Sequence, residues 1–79
     1  MVDVKAAPLA ILLQRGEAWE EEGKLFQAIA TYFRLMEYHP GTGEAQRARG
    51  LLFKLAQRLE GEGKLHQAVH LYERLTTRP

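Results

Sequence analysis

At 79 residues the chain has room for one small domain with a slender core. It has no cysteine, which excludes disulfides and thiolate metal sites and leaves close helical packing or self-association as the sources of stability. Eleven Lys and Arg against ten Asp and Glu leave a net charge of +1, without the basic excess of a nucleic-acid binder.

Near the amino terminus Ala6 to Leu13 is apolar, but Asp3 precedes it and Gln14-Arg15 follows. The stretch is too short for a membrane span and wrongly flanked for a secretory signal, so a cytoplasmic protein with no membrane partner is expected. Asn and Ser are absent and Asp3 is the sole Asp, a bias away from thermolabile side chains that fits a thermophilic source.

Four helices are predicted in chain order. Pro8 suits a first turn, and Leu9, Leu12, Leu13, Gly16 and Trp19 follow at helical spacing, giving a helix over about 8–22. After Gly23-Lys24, the stripe Leu25, Ala28, Ile29, Tyr32, Leu35 and Met36 gives a second helix over about 25–38, closed by His39-Pro40-Gly41. Thr42 or Gly43 begins the third, with Glu44 in its first turn, a buried face of Ala48, Leu51, Leu52, Leu55, Ala56 and Leu59, and a stop at Gly61 and Gly63. Leu65, Ala68, Val69, Tyr72 and Leu75 carry the fourth to about Thr77. The short joints at Gly23-Lys24 and Gly63-Lys64 require antiparallel helix pairs, so two stacked helical hairpins are expected. Gly16 with Ala28, and Ala56 with Ala68, are the expected points of closest approach.

The hairpins are two copies of one pattern. Glu22-Gly23-Lys24-Leu25-x-Gln27-Ala28-Ile29-x-x-Tyr32-x-Arg34-Leu35 returns forty residues later as Glu62-Gly63-Lys64-Leu65-x-Gln67-Ala68-Val69-x-x-Tyr72-x-Arg74-Leu75. Such a period marks stacked units, none of which buries its apolar face alone.

These residues resemble the tetratricopeptide repeat. Gly23, Leu25, Ala28, Tyr32 and Pro40, and again Gly63, Leu65, Ala68 and Tyr72, match the second half of that consensus. Leu12, Gly16 and Trp19 look like the large, small and aromatic positions of its first half, with Leu52, Leu55, Ala56 and Leu59 similar in the second unit. Arg15 stands where the family has Leu, and Leu35 and Leu75 replace a common Ala. The forty-residue period exceeds the usual thirty-four and is similar to long-helix variants in bacterial assembly and scaffold proteins. The resemblance implies one all-α domain, a right-handed stack of two hairpins with repeats over about 9–41 and 44–79. It also implies a peptide groove lined by Leu13, Glu17, Glu20 and Glu21 from the first unit and Phe53, Gln57 and Glu60 from the second. That face is acidic and lacks the Lys and Asn of a carboxylate clamp, so a basic or apolar segment is the implied ligand; the alternative is a solvated helix face.

The copies differ on the outside. Phe26, Ala30 and Phe33 form a second apolar stripe on helix two where the fourth helix has His66, His70 and Glu73. Left in water on a convex surface, that stripe is expected to pair across a two-fold axis in a homodimer, unless Met1 to Ala7 or a larger partner covers it. A competing surface is the open repeat end, Leu65, Val69 and Tyr72, which a further repeat or a capping helix would cover in a longer array.

Catalysis finds little support. His66 and His70 are two ligands without a third, and the glutamates at residues 20–22, 60 and 62 gather at helix ends rather than in a desolvated cleft. Neither a glycine-rich phosphate loop nor a Walker-type lysine is present. Arg47, Lys54 and Arg58 share a broad face of helix three that would meet a few phosphates, the second functional reading, although a solvated face explains the same charges. The sequence therefore predicts a non-enzymatic protein-interaction or assembly module, without cofactor or metal, as a homodimer.

Overall fold

A computed structural model describes residues 6–76. It is all-α: α1 (Ala6–Glu21), α2 (Leu25–Tyr38), α3 (Gly43–Gly61) and α4 (Leu65–Thr76). The expectation that Met1 to Ala7 covers helix two rests largely on residues outside the described range, as does the predicted end of the fourth helix at Thr77.

Each hairpin turn is built in the same way. Gly23 and Gly63 both take φ of +80°, a left-handed conformation that glycine adopts without steric cost. The N–H of Gly23 donates to the Glu20 carbonyl at 3.0 Å and that of Lys24 to Trp19 at 2.8 Å; Gly63 to Glu60 and Lys64 to Leu59 repeat both distances. This paired closure satisfies late carbonyls of α1 and α3 and reverses the chain within three residues. Between the hairpins, Thr42 serves both ends of the joint. Its hydroxyl donates to the His39 carbonyl at 2.8 Å, closing α2, and accepts from the Ala45 N–H at 3.1 Å, opening α3.

Within the stack α1 packs on α2, α3 on α4, and α3 lies against both α2 and α1. The core runs through the joint between hairpins, with Leu35, Leu52, Leu55, Leu59 and Leu75 almost wholly buried. At about 1.5–3 kcal/mol per fully buried aliphatic side chain, this layer supplies much of the gross driving force. Leu71, absent from the predicted face of the fourth helix, is also buried.

In the first hairpin the space beside Gly16 is taken by an aromatic ring. A Cβ on Gly16 would lie 2.6 Å from Cε1 of Tyr32, so the glycine leaves room for an aromatic ring. Tyr32 is thereby inserted between the helices with no exposed surface.

Candidate functional site

The hydroxyl of Tyr32 donates to Glu20 Oε1 at 3.0 Å, and that of Tyr72 to Glu60 Oε1 at the same distance. Each pair joins the two helices of one hairpin across twelve residues of sequence. The forty-residue echo therefore includes Glu20 and Glu60, which the expected peptide groove had assigned to a ligand. The tyrosine partner was readable in the spacing, since Glu20/Glu60 and Tyr32/Tyr72 repeat together.

Other residues of the expected groove are also engaged within the chain. Glu17 pairs with Arg47 at 3.6 Å and Glu20 with Arg58 at 4.0 Å, both from α1 to α3. Arg58 also holds Glu62 at 3.7 Å along its own helix. Surface pairs of this kind contribute roughly 0–1 kcal/mol each, but they cancel charge locally. The expected acidic face and the expected basic face of α3 thus meet and neutralise one another, with Lys54, Glu21 and Gln57 exposed outside these pairs. Leu13 belongs to the core, and Phe53 turns toward the ring of Tyr72 at 6.3 Å, with the Arg49 guanidinium 5.2 Å from its centre. Arg49 further donates to the Leu75 carbonyl at 3.2 Å, closing the end of α4.

Burial, followed by the hydrogen bond and charge of Glu20, pushes the Tyr32 phenol well above its ordinary value of 10.0. The folded state thus holds this proton more tightly than the unfolded chain. The associated stability is complete below pH 10 and is lost as pH rises from there toward the folded value. Thermal melts should show an alkaline decline in Tm above about pH 10 that is shallower in Tyr32→Phe; equal slopes would remove Tyr32 as its source.

The stripe Phe26, Ala30 and Phe33 does not stand together in water. Phe26 is 83% exposed and Ala30 is exposed, but Phe33 is only 6% exposed. Part of its cover comes from Arg74 of α4, whose guanidinium lies 3.8 Å from the centre of the Phe33 ring. Reading helix two against its own hairpin alone missed this neighbour. His66 and His70 are both exposed, and among the described residues no three His, Cys, Asp or Glu gather closely enough to hold a metal ion.

The largest asymmetry between the copies lies at the open end. Leu13, Leu25, Ile29 and Tyr32 of the first unit are buried or half-buried. Their equivalents Phe53, Leu65, Val69 and Tyr72 include two exposed aliphatic residues, Leu65 at 58% and Val69 at 51%. The difference follows from the stack, because α3 packs on the first hairpin and no described helix packs on the second in that way.

The opposite end is unlike it. Ile11 on α1 is exposed, in the place of Leu51 on α3, and Arg15 is exposed where its equivalent Leu55 lies in the core. A charged residue thus stands on the face that would otherwise receive another hairpin.

The fold and its surfaces define a class, an all-α stack of two helical hairpins with one apolar open end. Compared with known proteins, the chain matches no protein-family profile, no curated protein and no solved structure. No helix among the described residues is long and apolar enough to cross a membrane.

Proposed function

We propose that the chain is a non-enzymatic protein-interaction and assembly module of the tetratricopeptide-repeat kind, which self-associates through its open end. The observation that carries the reading is the exposure of Leu65 and Val69 beside Phe53 and Tyr72, at positions whose counterparts in the first hairpin are covered by α3. Covering that surface with a second copy removes it from water and supplements a core that is small for a free-standing domain.

Two ways of covering it differ in symmetry. Head-to-tail stacking would place α4 of one copy on α1 of the next and repeat without end. Arg15 opposes that, because it would be buried where the internal joint has Leu55. The open end therefore pairs with its own copy about a two-fold axis, giving a closed dimer. Sedimentation equilibrium should report a dimer for the wild type and larger, concentration-dependent species for Arg15→Leu, in which the barrier to stacking is removed. A wild type that remains monomeric at high concentration contradicts self-association, and an Arg15→Leu dimer identical to wild type contradicts the blocking role of the arginine.

A further inference from the structure

The side of α4 facing away from the open end borders a groove of about 610 Å³ between α2 and α4. Its floor includes the buried Leu71, and Phe26 and Ile29 form the α2 wall. The α4 wall carries His70 and Arg74, with Lys64 at the start of the helix, and no carboxylate lines any part of it. Lys64 is held by Glu62 at 3.5 Å, whereas Arg74, stacked on Phe33, has no carboxylate partner among the described residues.

An apolar trough edged by a guanidinium, an ammonium and an imidazole is complementary to an apolar segment that carries carboxylates. It is poorly complementary to itself. A second copy docked here about a two-fold axis would bring a cationic rim against an identical cationic rim, and like charges across an interface oppose association. We propose that the groove between α2 and α4 docks an apolar segment of a protein partner flanked by Asp or Glu. A large side chain of that segment packs against Phe26 and Ile29, and a carboxylate is received by Arg74. This rests on the reading of the chain as an interaction module. It uses the side of α4 opposite Leu65 and Val69, so dimerisation and docking are separable.

Panning a displayed library of short random peptides on the wild-type chain tests it. Enriched peptides should combine Leu, Ile or Phe with Asp or Glu. A synthetic peptide of the most enriched sequence should bind Phe26→Gln and Arg74→Glu about tenfold or more weakly, and Val69→Glu as well as wild type. Since Arg74 covers Phe33, circular dichroism should verify that Arg74→Glu is folded, and His70→Glu, changed at an exposed position, places a second carboxylate in the groove with the same expected loss. Enrichment of Lys- and Arg-bearing peptides, or binding indifferent to these substitutions, overturns the groove while leaving the interaction module in place. Failure to enrich any peptide overturns it too. A wild-type dimer that Phe26→Gln dissociates assigns the groove to a second copy and likewise overturns the proposal.

Discussion

Gly16→Ala should lower the Tm although alanine is the better helix former. In an unhindered helix interior the change gains about 1 kcal/mol, because glycine loses more backbone freedom on folding. At Gly16 the added methyl would sit 2.6 Å from one carbon of the Tyr32 ring and 3.0 Å from the next. That ring has no exposed surface and is tethered through its hydroxyl to Glu20, so it has no free direction in which to retreat. Overpacking of this kind costs about 1–3 kcal/mol, so after the propensity gain a net loss of up to about 2 kcal/mol is expected. In a domain of this size each kcal/mol shifts Tm by about 4–8 °C. Gly50→Ala is the internal control. It lies inside α3 with nothing within 4 Å of its would-be Cβ, so the propensity gain should appear undiminished and Tm should rise. Equal rises for both substitutions would mean that the ring yields freely.

Tyr32→Ala and Tyr72→Ala alter equivalent positions of the two copies, yet their costs should differ several-fold. Truncating a wholly buried aromatic residue costs about 3–5 kcal/mol, comparable with the roughly 3–5 kcal/mol that a single core of this size supplies. Tyr32→Ala should therefore be largely unfolded, with helical circular dichroism lost at room temperature. Tyr72 is half-buried, and its hydrogen bond to Glu60 is exposed to solvent, so its truncation should cost about 1 kcal/mol in the isolated chain. The difference comes from the covering helix, since Tyr32 has α3 against it and Tyr72 has no equivalent. If a second copy covers Tyr72, its truncation should become more costly as protein concentration rises. Equal unfolding by both substitutions at low concentration would contradict the asymmetric stack.

The four helices were legible in the sequence because local signals agreed. Pro40, Thr42, Gly23 and Gly63 mark ends whose geometry depends on neighbouring residues alone, and the apolar stripes between them keep one period. Contacts between elements were less accessible. Phe33 reads as exposed when helix two is placed only against helix one, and is buried in the full stack, where Arg74 of α4 reaches its ring. Glu17 and Glu20 read as an acidic face, while Arg47 and Arg58 read as a basic one. Their pairing depends on α3 crossing α1, which no local spacing encodes. Gly16 was legible as a small residue at a close approach, but whether an alanine or an aromatic ring faces it depends on how the helices are rotated about their axes.

The two copies share the devices that shape a hairpin and part where a neighbour is needed. Gly23/Gly63 and the Tyr32–Glu20/Tyr72–Glu60 pairs recur in both units, whereas cover over Ile29 and Tyr32 is not matched over Val69 and Tyr72. The proposed assembly follows from that difference, and light-scattering mass of wild type and Val69→Glu tests it most directly. Val69 is half in water, so a glutamate there should be tolerated by the folded chain but not in a covered interface. The expected result is twice the 9.0 kDa chain mass for wild type and the single chain mass for Val69→Glu, with the same helix content. A wild-type monomer, or a dimer unchanged by the glutamate, would contradict self-association through the open end.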